Sequence, residues 1–87
     1  MTRNQQILRI GQLYRDAMPG RSDLRTLRVD EIRTPTVDYK GRTLRAVTCT
    51  VIRKVSDDGA VTTPMRVLGI DAVRLTSDFF ELVEEQR

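Results

Sequence analysis

Two β-branched runs occupy the centre of this chain and restrict it to a sheet-based fold. They lie in residues 25–33 and 42–55, and each opens with the same four residues, Arg-Thr-Leu-Arg. Val, Ile and Thr favour extended backbone, because branching at Cβ suits a pleated surface better than a helix. A chain of 87 residues with two such runs is expected to form one small, mainly β domain.

Turn signals divide the rest of the chain into shorter strands. Residues 16–24 are rich in turn formers and predict a loop. Residues 38–41 (Asp-Tyr-Lys-Gly) and 56–59 (Ser-Asp-Asp-Gly) predict tight turns, the second of them a hairpin. A further strand is expected over residues 60–69.

Two irregularities are predicted within these strands. Ile32 is out of phase with Leu27 and Val29, which indicates a bulge or a bend near the end of the strand over residues 25–33. Pro64 interrupts the strand over residues 60–69, and a proline that cannot donate to a ladder indicates an edge or a bulge.

The two ends of the chain allow both a helix and a strand. Near the start, apolar residues between positions 7 and 18 recur at helical spacing, but Leu8, Ile10 and Tyr14 also share one face of a possible strand over residues 8–15. Near the end, residues 70–74 predict one helical turn. Residues 79–85 suit a short helix or a last strand, so the alternative is an α+β fold with terminal helices.

Four stretches of the sequence resemble a family of small actinobacterial and phage-associated SH3-like proteins of unknown function. The stretches are residues 10–16, 25–32 and 46–51, and residues 70–76 leading to 80–83. The resemblance implies a five-stranded SH3-like barrel with one short helical turn before the last strand. It favours strands at both ends, and it implies no activity. The family pattern has Gly-Tyr before its closing Leu-Val, where this chain has Phe79 and Phe80.

The residue inventory argues against catalysis and metal binding. The chain has no histidine and one cysteine, so a Ser-His or Cys-His pair and a thiolate-rich metal site are both excluded. Cys49 is in phase with Val47 and Val51 and is expected to be buried. We therefore expect no enzyme activity, no metal and no cofactor.

The arginines suggest one binding face. The residues proposed for it are six arginines on or next to the two long strands and two tyrosines that would stack bases: Tyr14, Arg25, Arg28, Arg33, Tyr39, Arg42, Arg45 and Arg53. Small barrels bind single strands through such aromatic platforms. The alternative is a solvated face on which Arg28 pairs with Asp30 or Glu31.

Charge is divided unevenly along the chain and bears on possible partners. Residues 1–54 carry 12 basic and 5 acidic groups, and residues 55–87 carry 3 basic and 7 acidic groups. We expect a non-enzymatic module that binds another protein, possible head-to-tail homo-oligomers, and as the alternative a weak, largely non-specific nucleic-acid binder. No segment suits a membrane span or a signal peptide, so a cytoplasmic protein without a membrane partner is expected, with residues 1–6 flexible.

Overall fold

The computed structural model describes residues 8–85 of the chain, with side chains described through residue 83. The expectation for residues 1–6 lies outside this range. The described chain is mainly β, with one short helix. Its elements are β1 (Gln12–Asp16), β2 (Leu24–Ile32), β3 (Thr36–Val37), β4 (Thr43–Leu44), β5 (Ala46–Val55), β6 (Val61–Thr62), β7 (Arg66–Asp71), α1 (Ala72–Leu75) and β8 (Phe80–Glu85).

The strands form an open antiparallel sheet rather than a closed barrel. Its order is β6-β5-β2-β1-β8, and β7 pairs with the same edge of β5 as β6 does. Among the described strands, β7 has no partner on its other edge and β8 has none beyond β1. The sheet is therefore open between β7 and β8. Strands β3 and β4 form a separate two-stranded sheet.

Strand β5 is the centre of the sheet, as its β-branched run predicts. Val47, Cys49 and Val51 are all buried on its inner face. They pack with Leu27 and Val29 of β2 in the hydrophobic core. Tyr14, Leu75 and Phe80 complete the buried part of this cluster, so the core joins the sheet to the helical turn and the last strand.

The predicted irregularity of β2 is present. The register with β5 shifts between Val29 and Glu31, so Asp30 is the extra residue of a bulge. This shift explains why Ile32, out of phase in the sequence, still packs against the core. A second shift, between Thr26 and Leu27, places an additional residue on β5.

Both predicted turns are confirmed, and the first one forms the tip of an exposed hairpin. The amide of Gly41 donates to the carbonyl of Asp38 at 3.0 Å, and Gly41 has a φ of 80°, which a residue without Cβ adopts without strain. In the second turn, the amide of Gly59 donates to the carbonyl of Ser56 at 2.9 Å. We call residues 33–45, which carry β3 and β4, the arm.

Pro64 interrupts its strand, as predicted. Residues 63–65 separate β6 from β7, and Met65 adopts a φ of 53°. The Met65 amide still donates to the carbonyl of Val51 at 2.8 Å. Arg45 similarly separates β4 from β5. These two divisions, together with β3, which was not predicted, give eight strands in place of the five expected.

Both ends of the described chain are strands, and the α+β alternative is wrong for this range. The helical turn begins at Ala72, with the Asp71 side chain accepting a hydrogen bond from the Val73 amide. Ile10, expected to share a buried face with Tyr14, is 63% exposed in a turn before β1. No helix in residues 8–85 has the length and apolar character to span a membrane.

Candidate functional site

The predicted basic face is not one surface in the structure. Arg25 and Arg28 lie on β2, Arg53 lies on β5, and Arg33, Arg42 and Arg45 belong to the arm. Arg28 and Arg53 share the outer face of the sheet, because Arg53 is opposite Thr26, two residues from Arg28. Arg25 is instead paired with a buried carboxylate, so the six arginines lie in at least three separate parts of the surface.

Tyr14 is not a platform for stacking bases. Its side chain is fully buried in the core, and its hydroxyl donates a hydrogen bond to the Gln12 side chain at 3.3 Å. The prediction is wrong because β1 is an inner strand, between β2 and β8, with Tyr14 opposite Leu27 and Leu82. Tyr39 is 91% exposed at the tip of the arm, so its ring is accessible for stacking.

A buried ion pair lies at the end of the sheet where β1 and β2 separate. Asp16 is 4% exposed, and its carboxylate accepts hydrogen bonds from Arg25 Nε at 2.9 Å and Arg25 Nη2 at 3.2 Å. Arg21 Nε lies 3.2 Å from the same carboxylate. Hydrogen bonding to Asp16 raises the pKa of the Arg25 guanidinium, so Arg25 stays charged and fixed in direction.

A second, more open pair continues this network. Lys54 lies opposite Arg25 on β5, and its Nζ is 3.3 Å from Asp23 Oδ2. The hydrogen bond from Lys54 lowers the pKa of Asp23. The network positions two cations, Arg25 and Lys54, side by side on the inner face at one end of the sheet.

Two cavities lie beside these cations and run along the open gap of the sheet. The first, about 330 Å³, is lined by Arg25, Val51, Lys54, Pro64, Arg66 and Leu68. The second, about 380 Å³, is lined by Arg25, Leu27, Leu68, Gly69, Ile70, Asp71, Arg74 and Phe80. They share Arg25 and Leu68, so we treat them as one depression, the seam groove.

The seam groove has an apolar floor because β7 is the last strand of its side of the sheet. Arg66, Leu68 and Ile70 lie opposite the buried Val51, Cys49 and Val47. Leu68 and Ile70 therefore face the core, yet only partly cover it, since no described strand lies beyond them. Because no described strand pairs with the other edge of β7, part of the apolar surface of Leu68 and Ile70 remains accessible.

The rim of the seam groove is mainly cationic. Arg66 is exposed, and no ion pair within residues 8–83 involves it. The Arg74 guanidinium lies 5.2 Å from the Phe79 ring centroid, a cation–π distance. Asp71, the only acidic residue in the two linings, accepts a hydrogen bond from the Val73 amide. Arg25 and Lys54 are already paired with Asp16 and Asp23, so Arg66 and Arg74 are the lining cations that an anionic group entering the groove would meet.

On the outer face of the sheet, Arg28 and Thr50 are already hydrogen-bonded to Asp30. Arg28 Nε donates to Asp30 Oδ1 at 2.7 Å, which confirms Asp30 as a partner, although the pair lies within β2 and not across strands as expected. The Thr50 hydroxyl donates to the other oxygen of Asp30. Burial raises the pKa of Asp30, but these hydrogen bonds outweigh it and hold the pKa below its ordinary value. Arg28 is therefore less available to a ligand than the sequence suggests.

Cys49 is a core residue, as predicted. Its side chain is fully buried, and burial together with the charge of Asp30 raises the pKa of the thiol to about 11. The thiolate is the reactive form of cysteine, so Cys49 is poorly suited to nucleophilic chemistry. In the part of the chain that the structure describes, no cluster of three or more potential metal ligands occurs.

No protein family model, no curated protein and no solved structure matches this chain.

The seam groove could not be predicted from the sequence. Its residues come from β2, β5, β7 and the turn around α1, and nothing in their spacing shows that the sheet stays open there. Arg66 and Arg74, both in the acidic half of the chain, were not considered as site residues.

Proposed function

We propose that this protein is a non-enzymatic interaction module whose seam groove binds an extended, acidic segment of another protein. The segment would lie along the unpaired edge of β7 and place apolar side chains on Leu68 and Ile70. The observation that carries the proposal is the coincidence of three features in one place: a free strand edge, a partly buried apolar floor and a cationic rim.

The strand order supports a module of SH3-like type. With the short strands set aside, the sheet runs β8-β1-β2-β5-β7, in which the last strand returns to pair with the first and the middle strands form a meander. A helical turn precedes the last strand, as the resemblance to the small SH3-like family implies. We include membership of that fold group in the proposal, with the barrel left open at the seam.

A free edge strand gives an extended segment its affinity. Backbone amides and carbonyls on the outer side of β7 repeat at strand spacing and suit the addition of one more strand. β7 contains no proline that would remove a backbone donor from this edge, and Gly69 leaves open space where a side chain would stand. The same edge is an aggregation hazard unless a partner covers it.

The side chains around the edge give the segment its chemistry. Leu68 and Ile70 offer apolar contact, worth about 25 cal/mol for each Å² removed from water. Arg66 at one end and Arg74 at the other favour carboxylates, which arginine binds through its planar fork. Because alternate side chains of a strand share one face, the groove selects a segment with apolar residues at alternate positions and acidic residues towards its ends.

A peptide-display selection tests this proposal directly. Immobilised protein is used to select from a library of random peptides about twelve residues long, and the enriched sequences are synthesised for titration. We expect them to carry apolar residues at alternate positions and acidic residues towards the ends, and to bind with micromolar affinity. Arg66→Glu should weaken binding about tenfold, whereas Arg53→Glu, the same charge change on the outer face, should leave it within about twofold.

Two results would count against the proposal. One is a selection that enriches no sequence over the library. The other is a set of peptides that bind Arg66→Glu and Arg53→Glu equally well, because that would show attraction to net positive charge rather than recognition by the groove.

A further inference from the structure

The arm is a second candidate binding surface, because almost all of its side chains are exposed. Every residue from 33 to 46 is exposed except Asp38, which is half-buried. The arm is nevertheless tied at its base and in its ladder. The Arg33 amide donates to the Ala46 carbonyl at 2.9 Å, and Thr36 and Val37 pair with Leu44 and Thr43. It is a projecting hairpin, not an irregular loop.

The tip of the arm is held by one carboxylate. Asp38 accepts hydrogen bonds at 2.9 Å from the amides of Lys40 and Arg42 and from Arg42 Nε. These hydrogen bonds, chiefly the one from the Arg42 amide, lower the pKa of Asp38. The negative charge of Asp38 is therefore directed inward to the turn, and the side chains of the two central turn residues are left to point outward.

Tyr39, one of those two residues, stabilises the fold very little where it stands. Its side chain is 91% exposed, and its ring centroid lies 5.6 Å from Nζ of the neighbouring Lys40. An aromatic ring on a rigid tip, with a cation beside it, is the arrangement on which unstacked bases pack. Duplex bases are already stacked and cannot use it in this way.

Cations run from this tip to the base of the arm. Arg33, Lys40, Arg42 and Arg45 give the arm four positive charges against Asp38 alone. In residues 8–83, neither Lys40 nor Arg45 takes part in an ion pair. The Arg45 carbonyl accepts a hydrogen bond from the Ala72 amide at 2.9 Å, which fixes this position against the body of the protein.

We infer that the arm binds single-stranded nucleic acid, with Tyr39 stacking on a base and the arm cations contacting the phosphates on either side. Binding is sequence-tolerant, because stacking on Tyr39 and contacts with phosphates do not depend on which base is present. This site is separate from the seam groove, and either can exist without the other.

Fluorescence anisotropy with a labelled oligothymidine of about twenty nucleotides tests the inference. The wild-type protein should bind at ~20 mM salt, and log affinity should fall with log salt by about 0.7 for each phosphate contact. Tyr39→Ala should weaken binding roughly 5- to 100-fold, as loss of one stacked base does, and Tyr39→Phe should stay within about twofold of wild type. These substitutions lie on an exposed tip, so circular dichroism should show an unchanged fold.

A matched pair of charge variants separates the arm from diffuse positive charge. Lys40→Glu with Arg45→Glu alters the arm, and Arg53→Glu with Arg66→Glu alters net charge equally elsewhere. We expect the first pair to lower the salt slope by about 1.4, which is two contacts, and the second to change it little. The inference is overturned if the two pairs act equally, if Tyr39→Ala binds like wild type, or if no binding occurs at ~20 mM salt. Equal affinity for a duplex or for polyglutamate would also overturn it.

Discussion

The buried carboxylate of Asp16 receives three hydrogen bonds from Arg25, from its backbone amide at 2.8 Å and from the guanidinium at 2.9 and 3.2 Å. This pair joins β1 to the start of β2 and gives the guanidinium one fixed direction. Arg25 in turn lines both parts of the seam groove. The stability of one end of the sheet and the charge of the candidate site thus depend on the same contact.

Replacing Asp16 by Asn should therefore destabilise the protein substantially. The amide keeps the shape of the side chain but leaves the partly buried Arg25 without its counter-charge, and breaking one side of a buried pair costs about 3 kcal/mol. Urea denaturation followed by circular dichroism measures the free energy of unfolding. Asp57→Asn, in the exposed turn, serves as a control and should cost less than about 0.5 kcal/mol. Equal stability of the two variants would contradict the structural role of Asp16.

Cys49 should react slowly in the native protein. It is fully buried and its pKa is raised to about 11, so both access and thiolate content are low. Ellman's reagent should label it slowly in buffer and promptly in guanidinium. Prompt labelling in buffer would place Cys49 on the surface and imply a different register for β5.

The same raised pKa predicts a loss of stability at alkaline pH. In the unfolded chain Cys49 loses its proton near pH 9, whereas in the folded protein it keeps the proton until about pH 11. Stability therefore falls as pH rises through this window, by on the order of 3 kcal/mol from this group. The measurement is the pH dependence of unfolding for wild type minus that for Cys49→Ala. Parallel curves would refute the assignment.

The Asp38 carboxylate should control the order of the arm at acid pH. Hydrogen bonds, first from the Arg42 amide, hold the pKa of Asp38 below its ordinary value. The contribution of Asp38 is therefore complete above about pH 4 and is lost as pH falls through the lower pKa of the folded protein. In an NMR titration, the amide signals of Lys40 and Arg42 should shift together with this carboxyl group. Asp38→Asn should abolish the shift, and a midpoint above pH 4 would show that the turn is not held as described.

The sheet could be predicted from the sequence wherever local pattern and tertiary packing agree. The alternation of Val47, Cys49 and Val51 located the buried face of β5, and the phase of Ile32 indicated the bulge that the structure places at Asp30. Pro64 likewise separated β6 from β7. In each case the signal lies within a few residues, so no knowledge of distant partners is needed.

The candidate site was harder to predict, because it depends on how distant segments meet. The distribution of the arginines follows from two register shifts, of which the phase of Ile32 indicates only the one at Asp30, and from the projection of the arm away from the sheet. Asp16 pairs with Arg25 at a buried position, but the sequence predicts that Asp16 belongs to the loop over residues 16–24. The pairing therefore could not be predicted. The seam groove exists because β7 and β8 remain unpaired with each other, which is a property of the whole sheet.

An NMR experiment with a peptide from the display selection tests the central claim most directly. The protein is labelled with nitrogen-15 and carbon-13, and the peptide is left unlabelled. If the peptide adds to the edge of β7, its backbone should show cross-strand contacts to Arg66–Asp71, and amides in that strand should become protected from exchange. Contacts confined to the arm or to the outer face around Arg53, with β7 unchanged, would contradict recognition by the seam groove.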